Sequence, residues 1–223
     1  MTRLGSACLV FALALGWPVS ASAQVRAASP QARAASYPAV APRAFVVFSQ
    51  QQFAAKDTFE AIFGDSTGPF RGGGVDVVVR RNIFVEVGFA RFERTGERVF
   101  RYGGDTFKLG IPLTVKIREL DLTAGYRMTG WRRVVPYGGI GLGSHRYQET
   151  SDFAAAGDSV SVGASGLVLV GGVEVRLARF IGVTADAHYS RIHEVIGKGG
   201  ISQQFGEGDL GGTSARFRII IGR

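Results

Sequence analysis

Among 223 residues the chain has a single cysteine, Cys8. It falls inside the leader argued below, and too early there for a lipoprotein cleavage site. The rest of the chain therefore holds no disulfide and no thiol chemistry. Long apolar runs are also missing after that leader. Arg81, Glu86, Arg91, Glu119, Asp121, Arg127, Glu174 and Asp186 interrupt every candidate, which excludes a spanning helix of about 20 residues. Histidine is scarce (His145, His188 and His193), and there is no HExxH and no cysteine cluster. Gly199-Gly200 and Gly211-Gly212 lack the strand–loop–helix setting of a phosphate-binding loop. No catalytic group, cofactor or metal ligand is expected on these grounds. Acid is in deficit: 18 Asp and Glu stand against 26 Lys and Arg, a net charge of +8. Such an excess usually serves nucleic acid or an anionic surface. Export makes nucleic acid an excluded partner and leaves lipopolysaccharide or peptidoglycan, or arginines that fill an interior and its rims.

What is present begins with that export signal. Arg3 gives a positive start, Ala7 to Trp17 an apolar core, Pro18 a stop, and Ala21-Ser22-Ala23 a small-x-small cleavage site. Residues 1–23 are thus read as a cleaved signal peptide, with Gln24 the mature start. Gln24 to Arg43 is rich in Ala, Pro, Arg and Ser without apolar period, and reads as a flexible periplasmic segment. Residues 44–223 form one domain, large enough to need no staples.

That domain carries a two-residue beat. From Leu167 to Leu177 the odd positions are Leu167, Leu169, Gly171, Val173, Val175 and Leu177, whereas Glu174 and Arg176 fall on even ones. Period two with unlike faces is the pattern of a β-strand. It predicts strands over Ala44–Gln52 (facing ambiguous), Phe70–Arg80, Ile83–Arg94, within Phe107–Met128, Val134–Tyr147, the opening example, Ile181–Arg191 and Gly211–Ile221. A short helix is expected at Asp57–Gly64, capped by Asp57 or Thr58. The connections alternate long and short, with tight turns at Arg81-Asn82, Thr129–Arg133 and Ala178–Phe180. An even strand number with short periplasmic turns and long outer loops is the layout of an outer-membrane barrel. Only closed barrels and helices satisfy their backbone in lipid. The expected fold is therefore all-β: an eight-stranded antiparallel up-and-down transmembrane β-barrel, probed first by its two faces.

The outer face would be Val, Leu, Ile and Ala. Phe45, Tyr126, Tyr137 and Phe180 are expected in an inner aromatic girdle, and Phe70, Phe92, Tyr147 and Tyr189 in an outer one. The inner face collects Asp76, Glu86, Asp121, Glu174 and Asp186 with Arg80, Arg127, Arg176, Arg216 and Arg218. Eight strands leave room only for side chains inside, and a lone buried ion is costly. The set is read as a salt-bridged lumen network. Glycines in the fifth and sixth strands are read as relief for large inward arginines.

The run Ala124-Gly125-Tyr126-Arg127, a turn, then Val135-Pro136-Tyr137-Gly138-Gly139-Ile140-Gly141-Leu142-Gly143 resembles the bacterial outer-membrane β-barrel domain family, the OmpA/OmpW-like small barrels. Val170-Gly171-Gly172-Val173-Glu174-Val175-Arg176 is similar to the next hairpin of that family. The resemblance covers most of Phe45 to Gly222. It implies a structural protein, an adhesin or a small-solute channel of the outer membrane, surrounded by outer-membrane lipids and lipopolysaccharide, inserted by the barrel assembly machinery, and a monomer. Such chains commonly end in an aromatic residue read by that machinery; here Phe217 is the nearest aromatic to Arg223.

Two other readings compete. His188 and Ser190, two apart on one strand, share a face as a nucleophile–base pair would. They resemble the His-x-Ser pair of outer-membrane lipid A deacylases, with Glu194 to orient the histidine, but alternation turns them inward. A soluble calycin-like ligand carrier would need an apolar inside, whereas the charged face here is the minority face.

Overall fold

In the computed structural model the described residues are 40–131, 133–151, 160–193, 196 and 201–222. The signal peptide, the segment from Gln24 as far as residue 39, and Glu194 lie outside them. Eight strands, β1 (Val40–Phe53), β2 (Thr67–Val79), β3 (Ile83–Tyr102), β4 (Asp105–Arg127), β5 (Val134–Thr150), β6 (Val160–Arg176), β7 (Ile181–Arg191) and β8 (Gly212–Gly222), pair antiparallel with their neighbours. β8 returns to β1, with Phe217 opposite Phe48, and closes the barrel. Helix α1 (Lys56–Phe63) lies between β1 and β2, and the short α2 (Ser202–Phe205) between β7 and β8.

The register sets the shape. Arg146 pairs with Arg118, Arg118 with Arg91, Arg91 with Arg71, Arg71 with Phe48, and Phe48 with Phe217. Phe217 pairs with Ala185, Ala185 with Val173, and Val173 with Pro136. One circuit thus returns to β5 ten residues below its start. With about 3.3 Å per residue and about 4.8 Å between strands, that offset tilts the strands by roughly 40°.

Residues of one parity are exposed and apolar around the wall, including Leu122, Ile140, Leu142 and Ile221, and those of the other parity are buried. β1, whose facing the pattern left ambiguous, turns Arg43, Phe45 and Val47 inward and Val46 and Phe48 outward.

β2, β5 and β6 extend a few residues beyond their expected ends at the outer side, β6 starting at Val160 rather than Leu167, and three further departures change the reading. β1 starts at Val40, so Arg43 belongs to the wall rather than to the preceding segment. The expected loop Thr95–Asp105 is strand: β3 and β4 continue as a two-stranded ribbon to a turn at Gly103-Gly104, where φ is +63° and +98°. Charged residues hid the alternation there. The turn after β2 comprises residues 80–82, with Arg80 and Arg81 both left-handed at φ +48° and +72°. Two positive φ values make a primed turn, whose twist suits a hairpin. Asn82 Nδ2 donates to the Arg127 carbonyl at 2.9 Å and ties this turn to the next hairpin.

The outward placement of Leu169 on β6 is directly testable. Leu169→Arg sets a guanidinium near mid-bilayer at a cost of about 2–4 kcal/mol, and should lower the folded fraction recovered in vesicles, read from heat-modifiable gel mobility. A yield equal to that of the native chain would contradict this facing.

Candidate functional site

The inward side chains fill the barrel in three layers. At the end with the tight turns, every strand supplies a group to one ionic network. Arg43 of β1 grips Asp76 of β2 with two hydrogen bonds, Nε to Oδ1 at 2.7 Å and Nη2 to Oδ2 at 2.9 Å. Its Nη1 donates across the lumen to Glu174 Oε2 of β6 at 2.7 Å. Arg127 of β4 donates to the same Glu174 oxygen, and Arg176 Nε lies 3.5 Å from the other.

Arg218 of β8 is the second hub. It donates to Glu86 Oε2 of β3 at 2.6 Å, to Thr184 Oγ1 of β7 at 3.1 Å and to the Tyr137 hydroxyl of β5. Its guanidinium also stands 5.1 Å from the Phe45 ring centre. Asp186 joins the hub, accepting from Tyr137 Oη and from Arg216 Nε, each at 2.7 Å. Asp76 and Glu86 face each other in the register. Two adjacent carboxylates are tolerated because each has its own arginine. Only a small recess, with room for about one water, is left among these groups, between Arg43, Glu86, Tyr137 and Glu174.

The middle layer is polar and centred on Asp121 of β4. Its Oδ2 lies 3.1 Å from His188 Nε2, and its Oδ1 3.8 Å from His145 Nε2. His145 Nδ1 stands 3.5 Å from Glu119. His188 Nδ1 meets Ser214 Oγ at 3.4 Å. Gly143 permits this clustering, because a Cβ there would come within 2.7 Å of Asp121 Oδ1 and 2.8 Å of Val168. Among the described residues no group of three His, Cys, Asp or Glu side chains is arranged to hold a metal ion.

The layer toward the long connections is apolar. α1 folds over the barrel mouth and buries Phe59 and Ile62. Phe59 stacks on Phe53 with ring centres 3.7 Å apart, and Phe70 and Phe92 pack around them. Ile192, Ile196, Ile201 and Leu210 of the β7–β8 connection complete the cluster. Neither Asp57 nor Thr58 caps α1. Its N-terminus begins after Ala55, and Glu207 of the distant β7–β8 connection accepts from the backbone N–H groups of Asp57 and Thr58 at 3.1 and 2.8 Å. Asp209 Oδ1 in turn accepts from the N–H groups of Ile192 and Gly211, at 3.0 and 2.8 Å. The first and last outer connections are thereby held together.

Of the ten charges expected to meet in the lumen, Asp76, Glu86, Arg127, Glu174, Asp186, Arg216 and Arg218 lie in the lower network. Arg176 reaches it from the rim, and Asp121 sits one layer higher. Arg80 does not take part: its left-handed φ takes it out of the strand alternation and leaves it exposed in the turn. Arg43 takes up a lumen position instead.

The expected aromatic girdles also need correction. Phe45, Phe70, Phe92, Tyr137 and Tyr147 are buried inside, whereas Tyr126, Phe180 and Tyr189 are exposed. Parity with the lumen charges was the available signal. The β5 and β6 glycines do not make room for arginine side chains: a Cβ on Gly141 would run into the Leu122 carbonyl, one on Gly172 into Asp186, and one on Gly139 would come within 3.0 Å of the Phe84 ring, while on β2 and β4 one on Gly74 or Gly125 would come within 2.6 Å of Phe45 or Phe84. His188 and Ser190 both point inward, but the imidazole contacts Asp121 and Ser214, and Ser190 Oγ is buried without a protein partner.

A closed wall with an apolar exterior and an ionic interior defines a membrane-spanning β-barrel. The chain matches the model for "Outer membrane protein beta-barrel domain" over residues 9–216, and it belongs to that family of outer-membrane proteins. Among solved structures it is similar to Neisserial surface protein A, at 12% identity and TM-score 0.51 over 82% of this chain and 96% of that one. It is also similar to the N-terminal β-barrel domain of Pseudomonas aeruginosa OprF, at 9% identity and TM-score 0.49, covering 82% of this chain and 97% of that one. Ail, the attachment invasion locus protein of Yersinia pestis, compares at 15% identity and TM-score 0.48, covering 82% and 96%. At 12% identity the likeness to Neisserial surface protein A is one of fold alone. No curated protein sequence matches the chain.

Glu174→Ala should destabilise the refolded barrel by about 3–5 kcal/mol, since it leaves Arg127 a buried cation without its carboxylate and removes the contact of Arg43 across the lumen, although Arg43 keeps Asp76. Arg80→Gln should change stability by less than about 0.5 kcal/mol, as for an exposed site without buried partners. Urea unfolding followed by tryptophan fluorescence compares them, and equal effects would refute the lumen assignment.

Proposed function

We propose that this protein is a non-catalytic outer-membrane barrel with a sealed lumen, acting as a structural and surface-interacting element through its outer connections. The observation that carries this reading is the filling of the interior at two levels of different chemistry. Near the tight turns, arginine–carboxylate pairs from seven strands, joined by the Tyr137 hydroxyl of the eighth, occupy the cross-section. At the other end, α1 and the β7–β8 connection meet in a packed aromatic and aliphatic cluster. Water-filled passage would require both to open. The burial of Ser190 and His188 away from lipid supports the non-catalytic part of the reading, because acyl transfer on a membrane lipid needs its nucleophile on the lipid face.

Assembly machinery and a monomeric state fit the same proposal: within the spanning wall the sheet is closed on itself and leaves no edge strand there for pairing with a second copy. The refolded barrel in planar bilayers should give no steady conductance. Phe53→Ala with Phe59→Ala, which loosens only the apolar layer, should still give none, because the ionic layer remains. A steady, reproducible conductance step from the native barrel would overturn the reading.

A further inference from the structure

The lumen does not account for the basic excess of the chain, because its arginines are matched by carboxylates. Among the described residues the uncompensated positive charge is on the outside. Arg71, Arg91, Arg118 and Arg146 are register partners on four consecutive strands. All four are exposed and share the outward face. None has an ion-pair partner among the described residues. The nearest carboxylate on that face, Glu93, is committed to Lys116 at 3.1 Å.

Four like charges placed directly opposite one another across a sheet repel. The neighbouring strands are about 4.8 Å apart, so the row spans about 15 Å. With the strands tilted by about 40°, it climbs obliquely through about 9 Å of height, Arg71 lowest and Arg146 highest. Apolar side chains lie directly below it: Phe89 and Val87 on β3, Leu120 and Leu122 on β4. Arg91 and Arg118 stand eight residues above Ile83 and Tyr126, about 20 Å in height, near the top of an apolar band about 25 Å tall. Long arginine side chains at that level reach the headgroup layer. The row is on the side of the long connections, which is the outer side in an outer-membrane barrel, so the headgroups it meets are those of the outer leaflet.

From this we infer that the arginine row is a binding site for the phosphate groups of the outer-leaflet glycolipid, the phosphorylated lipid A of lipopolysaccharide. Guanidinium groups bind phosphate oxygens with paired, charge-assisted hydrogen bonds. Adjacent strands present them at a spacing that lets two neighbours share one phosphate, and the whole row can engage a headgroup carrying more than one. The bound anion removes the repulsion that the bare row carries. The site is on the outer wall, so it stands whether or not the lumen is sealed, and a conducting barrel would leave it untouched.

The test uses the refolded barrel in zwitterionic detergent, with thermal unfolding read by gel band shift. Lipopolysaccharide should raise the unfolding temperature in a saturable way. Lipopolysaccharide stripped of its lipid A phosphates should not, and phosphatidylglycerol at equal phosphate should give a much smaller rise. For Arg91→Gln with Arg118→Gln, the lipopolysaccharide concentration at half effect should increase about tenfold or more, the loss expected for one charge-assisted hydrogen bond. Arg133→Gln with Arg179→Gln, two charges removed at the opposite rim, should leave that concentration unchanged. Without added lipid, the Arg91/Arg118 variant should unfold at the same temperature as the native chain or higher, since the change relieves repulsion. A merely structural role would lower it.

The inference is overturned if the native barrel responds equally to the dephosphorylated glycolipid, or if the Arg91/Arg118 variant responds as the native chain does. An equal, arginine-dependent response to phosphatidylglycerol overturns the assignment to the glycolipid. Because the comparison of phosphorylated with stripped lipid needs only the native chain, a variant that fails to fold does not shield the proposal.

Discussion

Lipid offers no hydrogen bonds to a peptide backbone, and from that single constraint the rest of this structure follows. The sheet must close, so β8 pairs with β1. Closure of eight strands with an offset of ten residues leaves an interior about as wide as the side chains that point into it. Inward side chains can then reach residues of the opposite wall. Arg43 on β1 meets Glu174 on β6, and Arg218 on β8 meets Glu86 on β3. Ion pairs in such a space stand or fall as a group, because removal of one partner strands the other in a desolvated interior.

The same narrowness decides where aromatic rings go. A ring on the outer wall has lipid beside it and needs no accommodation. A ring inside needs a missing side chain opposite, and Gly74 beside Phe45 and Gly125 beside Phe84 supply it. Above the ionic and polar layers the interior changes character. The first and last connections fold down as an apolar cork, held by Glu207 across the N-terminus of α1 and by Asp209 within the final connection. Charge inside the barrel is thus nearly matched, and the basic surplus of the described residues is displaced to the outer wall and rim. There the tilt of the strands turns a register row into an oblique band of arginines at headgroup height.

Much of this was legible in the residues. Alternation is a local property, imposed by the pleat on every strand alike, and it identified eight strands, seven of the charges in the lower lumen, and the inward turn of His188 and Ser190. Where alternation is masked by charge on both faces, as over Thr95–Tyr102, strand was mistaken for loop. Where a primed turn breaks it, as at Arg80, a residue left the face it had been assigned. Arg43 was hidden because two prolines and several alanines around it resemble a linker, and nothing local announces that β8 lies alongside to pair with it.

By itself, then, the sequence determined the class of the fold, the closure of the wall and which chemistry each face would carry. These depend on period and composition within ten residues or so. Tertiary structure alone decided who meets whom. The pairing of Arg43 with Glu174, the capping of α1 by Glu207 about 150 residues away, the cork over the mouth and the alignment of Arg71, Arg91, Arg118 and Arg146 all depend on register and tilt. A slip of one residue between two strands would leave every local pattern intact while dissolving each of those contacts.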